Sequence, residues 1–328
     1  MTVRLIAAAG MLAAAMAILT APAGATFSGV NGPVIYHKVG GFGTEIFKLD
    51  GGLETQLTSS APGAAVNSDW SPDGERIAFD SDRDGLSVNL YAMDADGGNV
   101  VPLISDDGFD GFPSWSPDGS RIAWDHEGES YPATQGIWTM SADGADRVQV
   151  TTPPQPGIEY DSEPAYSPDG SRIAFTRYRG TCRFPNRERF VSAACTSAIH
   201  LVRTDGSGLR RLTAWGHGVA SPDWSPDGSS IAFHRGDDGA QGGKLDVYVM
   251  DADGSDERPL TSTPPFTYGP RVAAGNPVYS PDGRRIMFTQ WFADRQPQIA
   301  VMDADGTNVE AVTDEPDLRH NEADWGAL

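Results

Sequence analysis

Short apolar runs of period two, each bounded by turn-forming residues, repeat along most of this chain. Five times an aromatic residue is followed by Ser-Pro-Asp-Gly, at 71–74, 116–119, 167–170, 225–228 and 280–283. Two residues later comes an apolar strand, such as Ile77-Ala78-Phe79 or Ile122-Ala123-Trp124. Proline pre-sets φ for a turn and glycine supplies φ > 0 where the chain re-enters a strand, so the unit predicts a hairpin. A second alternating run follows, for example Leu90-Tyr91-Ala92-Met93 or Val247-Tyr248-Val249-Met250. Each such run leads to an Asp-Gly turn, at Asp96-Gly97, Asp143-Gly144, Asp205-Gly206, Asp253-Gly254 and Asp305-Gly306. A short last strand closes the unit: Leu103-Ile104, Val150-Thr151, Leu212-Thr213, Leu260-Thr261 and Val312-Thr313. Each repeat therefore predicts four strands, A to D.

The two ends complete the count. Before the first full repeat, Pro33 to Tyr36 matches strand B, Glu45 to Leu49 matches C and Leu57-Thr58 matches D. After the last, Glu322 to Gly326 matches strand A. Three strands at one end and one at the other make a sixth unit, and closing them into a ring removes an exposed sheet edge. The pattern predicts an all-β, six-bladed β-propeller of four-stranded antiparallel blades, with the C-terminal strand completing the N-terminal blade. It fills residues 27–328 as one domain. The predicted blades are 33–58 plus 321–326, 66–104, 111–151, 162–213, 220–261 and 275–313.

These repeats, an aromatic through Ser-Pro-Asp-Gly-x-x-Ile-Ala-Phe to Met-Asp-Ala-Asp-Gly, resemble those of the TolB-type propeller, also called the WD-repeat-like PD40 family. The resemblance covers nearly the whole chain after its N-terminal stretch. It implies the propeller fold and, through TolB, a periplasmic binding role toward envelope proteins. TolB carries a separate α/β domain ahead of its propeller. Here the first strand B begins close to the N-terminus, so the functions of that domain are not carried over. The same repeat also precedes serine-peptidase domains.

Met1 to Ala25 reads as an export signal: Arg4, then an apolar stretch from Leu5 to Thr20, then Ala23-Gly24-Ala25 as the cleavage site. The apolar stretch is shorter than the ~20 residues a membrane span needs. No later segment is apolar enough to span, and the mature protein is expected outside the cytoplasm, in the envelope or released. Twenty-four basic against 45 acidic residues give a net charge of −21, which argues against nucleic acid as a partner because phosphate would be repelled. The chain has 38 Gly and 24 Pro, which favours turns over long helices.

Strand polarity puts every Ser-Pro-Asp-Gly and Asp-Gly turn on one face, regular and acidic, and the longer links on the other. Irregular loops on a rigid scaffold carry function more often than regular ones. The candidate partner-binding residues on the irregular face are Arg179, Arg183, Arg187, Arg189, Trp215, His217, Phe266, Tyr268, Trp291 and His320. The four arginines belong to the longest insertion, residues 178–198, which also holds Cys182 and Cys195; in an exported chain these two predict a disulfide. Residues three before each strand-A aromatic, Asn67, Glu163, Asn276 and Glu322 among them, are expected to rim the channel. The residues after each strand-B aromatic include His37, Asp80, Asp125 and His234. No G-x-S-x-G elbow or H-E-x-x-H motif occurs, and no catalytic residue, metal site or cofactor is assigned. The expected function is an exported, monomeric, non-catalytic binding protein that engages a protein or cell-envelope component. The alternative is a propeller hydrolase or lyase with a polar or metal site at the channel mouth, built from His37, His234 and Asp80 or Asp125.

Overall fold

The computed structural model describes residues 29–40, 43–60, 63–85, 87–127, 134–155, 158–180, 195–236, 245–262 and 273–327. The expected export signal lies outside them. Among the described residues there is no helix, and 24 strands form six four-stranded sheets. Blade 1 holds β1 (Asn31–Gly40), β2 (Gly43–Asp50) and β3 (Leu53–Gln56). Blade 2 is β4 (Ala65–Trp70), β5 (Arg76–Ser81), β6 (Asn89–Asp94) and β7 (Val101–Pro102). Blade 3 is β8 (Phe109–Trp115), β9 (Arg121–Glu127), β10 (Gly136–Ser141) and β11 (Val148–Gln149). Blade 4 is β12 (Glu159–Tyr166), β13 (Arg172–Gly180), β14 (Cys195–Arg203) and β15 (Arg210–Arg211). Blade 5 is β16 (Ala220–Trp224), β17 (Ser230–Gly236), β18 (Leu245–Asp251) and β19 (Arg258–Pro259). Blade 6 is β20 (Ala273–Tyr279), β21 (Arg285–Trp291), β22 (Gln298–Asp303) and β23 (Glu310–Ala311). The last strand, β24 (Arg319–Ala327), pairs antiparallel with β1 and shuts the ring, with Val34 opposite Trp325 and Lys38 opposite His320.

Each Ser-Pro-Asp-Gly turn is built alike. The Ser71 hydroxyl accepts from Arg76 N–H (2.8 Å) and donates to Asp73 (2.6 Å), while Gly74 takes φ of 68°. The same serine–aspartate bond recurs at Ser116, Ser167, Ser225 and Ser280. Strands B and C are buried on both faces, because each blade packs against a neighbour on either side. Ile77, Ala78 and Phe79 are all fully buried, as are Ile231, Ala232 and Phe233.

Strand D falls two residues earlier than the sequence pattern suggested. In blade 3 the outer ladder is Val148–Gln149, and the Val150-Thr151 pair that looked like a strand instead clamps it to β10. Val150 N–H donates to Ile137 C=O, and Ile137 N–H donates to the Thr151 hydroxyl at 2.9 Å. Thr58, Thr213, Thr261 and Thr313 accept the equivalent bond in their blades. The apolar residue is drawn inward and the threonine hydroxyl replaces a ladder acceptor, so the pair belongs to the core although it lies outside the strand.

The blades are joined by donors of one innermost strand meeting acceptors of the blade before it. Trp70 N–H donates to Asp324 (2.8 Å), Trp115 N–H to Asp69 (2.7 Å) and Tyr279 N–H to Asp223 (2.7 Å). A second tier joins Ser221 N–H to Thr176 (3.2 Å), Asn276 N–H to His234 Nδ1 (3.1 Å) and Glu322 N–H to Thr289 (3.2 Å). At the remaining seam, between blades 3 and 4, the Ser162 hydroxyl donates to Asp125. Such bonds are directional, so they fix the stagger between blades as well as their contact.

Removal of residues 321–328 takes away the register partners of Asn31, Val34, Ile35 and His37 and opens the ring. The truncated chain is expected to lose its cooperative thermal transition as followed by circular dichroism. An unchanged melting curve would show that β24 does not close the fold.

Candidate functional site

The axis of the ring is lined by the innermost strands. In each one the pairing with strand B slips by a residue, for instance between Val66 and Asp69 or between Ser162 and Ala165. The residue at the slip takes a left-handed backbone: Asn67 (φ 50°), Phe112 (52°), Glu163 (57°), Ser221 (53°), Asn276 (52°) and Glu322 (45°). This conformation costs a non-glycine residue on the order of 1 kcal/mol. The bulge bends the strand and re-aims its side chains. Six of them, one per blade, thereby line a channel cavity of about 150 Å³. That volume holds a few waters.

The strand-B residues stand behind the bulges. Asn67 Nδ2 donates to Asp80 (2.7 Å), and the Thr176 hydroxyl donates to Glu163 (2.8 Å). Burial pushes the Asp125 carboxyl well above its usual range, aided by the charges of Glu127, Asp80 and Glu163 and opposed by the Ser162 hydroxyl. Sequence reading passed over a second carboxylate set, the residue directly before the aromatic: Asp69, Asp223 and Asp324. The signal was an Asp-Trp pair in three of the six innermost strands, at 69–70, 223–224 and 324–325. Burial and then the Asp324 charge hold the Asp69 carboxyl well up. Burial raises Asp324 to about 6.

His37, His234, Asp80 and Asp125 do not converge as a metal site. His234 Nδ1 is spent on Asn276 N–H, and His37 Nδ1 lies 3.8 Å from Glu322. Among the described residues, three ligand atoms come together only at Glu54, Glu315 and His320. There the Lys38 ammonium already occupies the acidic pair, 2.9 Å from Glu54 and 2.5 Å from Glu315. This cluster joins β1, β3 and the link ahead of β24. His320, expected to face a partner, is fully buried in it, with Nε2 2.9 Å from Glu315 and the ring edge-on to Tyr36. It serves the closure of the ring and offers no surface.

On the irregular face, β13 and β14 extend into the long insertion of blade 4. Arg177 is buried and paired with Asp161 at 2.6 Å. Arg179, whose side chain is 51% exposed, lies 3.5 Å from Glu159. Half-buried Trp215 has two guanidinium neighbours, Arg179 and Arg211, each 5.7 Å from the indole centroid, with His200 also 5.7 Å away. His217 is half-buried, its Nδ1 2.9 Å from Cys195 C=O. Trp291, also half-buried, ends β21 and packs over Gly275 in blade 6. Arg183, Arg187, Arg189, Phe266, Tyr268 and Cys182 lie outside the described residues. A further pair missed by sequence reading sits in blade 3. Fully buried Asp110 accepts from Trp124 Nε1 (2.6 Å) and lies 2.7 Å from His126 Nδ1.

The fold is a six-bladed propeller of the kind seen in solved TolB structures. It superposes on TolB from Acinetobacter baumannii with a TM-score of 0.66 at 21% identity, over 90% of this chain and 67% of that one. A putative TolB from Agrobacterium tumefaciens gives 0.59 at 21% identity, over 91% and 99%. No family model matches the sequence. A stretch of 133 residues is 34% identical to an uncharacterized peptidase of Bacillus subtilis, YuxL, covering 39% of this chain and 17% of that protein. The chain thus spans about a sixth of that relative. Among the described residues no helix is long and apolar enough to cross a membrane.

The raised carboxyls give a pH signature. Asp324 titrates near 6 in the fold against 3.8 for an unperturbed aspartate. The folded chain therefore holds this proton more tightly, and stability falls as pH climbs from about 4 to about 6. Asp324→Asn keeps an amide oxygen for Trp70 N–H and removes the charge. The variant should melt higher than wild type above pH 7, by the equivalent of ~1–2 kcal/mol, with a shallower decline between pH 4 and 6. Identical pH–melting profiles would show that this carboxyl is not titrating there.

Proposed function

We propose that this chain is an exported, monomeric, non-catalytic binding propeller that engages a protein or cell-envelope partner through its irregular face, at blade 4. The observation that carries the reading is Trp215 with Arg179 and Arg211 around it. Tryptophan and arginine dominate the energetics of protein interfaces, and here they sit on a body of net charge −21. The adjoining 181–194 segment adds Arg183, Arg187 and Arg189 by sequence. The partner surface that suits this patch is acidic. The propeller fold supports a binding role, since a rigid ring displays loops without moving, and the N-terminal Met1 to Ala25 pattern supports export. The channel carboxylates are engaged in joining blades, which favours binding over catalysis there.

We further assign Cys182 and Cys195 to one disulfide. Burial of Cys195 at the first position of β14 supports it, since the insertion leaves and returns at that edge. Closing this loop would stabilise it by ~3 kcal/mol in the chain-entropy model. Unfolded, unreduced protein should show no reactive thiol; two titratable sulfhydryls would remove the assignment.

The binding reading is tested by affinity capture from the cell envelope with wild type and with Arg179→Glu/Arg211→Glu. Proteins recovered stoichiometrically by wild type should fall at least tenfold with the double variant, the fold being retained by circular dichroism. Equal recovery would place the contact elsewhere.

A further inference from the structure

In blades 1, 3 and 5 the clamping threonine after strand D passes its own hydrogen to a carboxylate. Thr58 donates to Glu45 (2.6 Å), Thr261 to Asp246 (2.8 Å) and Thr151, across the seam between blades 3 and 4, to Asp161 (2.7 Å). Asp161 also takes two Arg177 nitrogens, at 2.6 and 2.7 Å, so both its oxygens are bonded. Between blades 2 and 3 the equivalent carboxylate is Asp110, two residues before the bulge at Phe112 as Asp161 is before Glu163. The threonine's place is taken there by buried Ile104. Its N–H donates to Leu90 C=O (3.2 Å), as Thr151 N–H does to Ile137 C=O (3.1 Å), but it has no hydroxyl to offer. On β9 the place of Arg177 is taken by His126, two residues after Trp124 as Arg177 is after Phe175.

Asp110 is therefore held by fewer donors. It is fully buried, Trp124 Nε1 and His126 Nδ1 both meet its Oδ1, and its Oδ2 has no hydrogen-bond partner. Its backbone N–H crosses the seam to Val88 C=O (2.9 Å). Burial works against a charge on His126, but the hydrogen bond and charge of Asp110, with the charge of Asp106, outweigh burial and Arg147 and hold the imidazole above its ordinary 6.5. Burial raises Asp110, aided by Asp106 and opposed by His126 and Trp124. Among the described residues the other charges nearby are few. Asp106 and Arg147 pair with each other at 3.6 Å. Asp125 and Glu127 flank His126 on β9 but point to the opposite face, where they accept from Ser162 and Gln135.

We propose that Asp110 and His126 form a proton-operated clasp on the seam between blades 2 and 3, closed while the imidazole carries its second proton and loosened when that proton leaves. The neutral ring can still donate from Nδ1, but the buried carboxylate is then left without a cation and with one bare oxygen, which is costly. A base held above its ordinary value stabilises the fold fully below about 6.5 and loses that contribution as pH rises through the folded value. Asp110, raised by burial, acts in the same direction at more acidic pH. Asp161 with Arg177 has no such window, because a guanidinium keeps its proton in proteins. The clasp sits at the irregular end of its seam and stands independently of the partner proposed above.

The test is amide hydrogen exchange of the full chain by NMR between about pH 6 and about pH 9, corrected for the intrinsic pH dependence of exchange. Asp110 N–H is compared with Val219 N–H, which holds the same register position in blade 5 and donates to the Ser197 hydroxyl (2.9 Å), a bond with no ionisable group. Protection at Asp110 should fall at least tenfold relative to Val219 across that range. His126→Arg rebuilds the blade 4 pair, and Asp110→Asn removes the charge while keeping an oxygen for Trp124 Nε1; each should flatten the pH dependence. Ile104→Thr restores the missing donor and should shrink the fall at least threefold. A constant ratio in wild type, or an undiminished fall in either His126→Arg or Asp110→Asn, would overturn the clasp. An undiminished fall in Ile104→Thr would overturn the part assigned to the missing hydroxyl.

Discussion

Closure by β24 is the constraint on which the other features depend. A four-stranded blade cannot bury two faces alone; it needs a neighbour on each side, and only a ring supplies one to every blade. Strand β24 lies beside β1 from Arg319 to Ala327, so the first and last parts of the chain share one sheet. The hydrogen bonds from one innermost strand to the blade before it continue around the axis through that sheet. Glu322 N–H reaches back to Thr289 of blade 6, and Asp324 accepts from Trp70 of blade 2.

The same geometry explains the chemistry of the axis. Six strands converging on one line must bend, and each does so at a left-handed bulge whose side chain lines the channel. The acceptors that lock neighbouring blades are then forced close together. Asp69, Asp223 and Asp324 are carboxylates among them, and burial raises the first and last. A charge network that serves assembly can look like an active site in sequence. Here the bonding pattern spends these carboxylates on joining blades.

Much of the fold was legible because a repeat states its own alignment. Ser-Pro-Asp-Gly and Asp-Gly turns have local causes, in proline, glycine and short side chains that bond their own backbone, so counting them gave the blades and the closing strand. Strand D was misplaced by two residues because Val150-Thr151 reads as strand by propensity, while its role is to clamp β10 from outside the ladder. His320 read as a loop histidine open to a partner. It is buried because Tyr36, distant in sequence, packs against its ring, while Glu315 in the preceding link takes up its Nε2.

By itself, then, the sequence determined the number of blades, their strand order, the turns and the joining of the two ends, since each follows from local pattern and from the need to bury both faces of every sheet. Only the tertiary structure decided which polar residues are spent on holding blades together and which remain for contact. That distinction depends on the angle and distance between side chains of adjacent blades. Asp69 and Trp115, or Arg76 and Ala142, have no relation along the chain. That Arg76 reaches Ala142 of the next blade, while Arg121 donates to Thr139 of its own, exists only once the blades are packed.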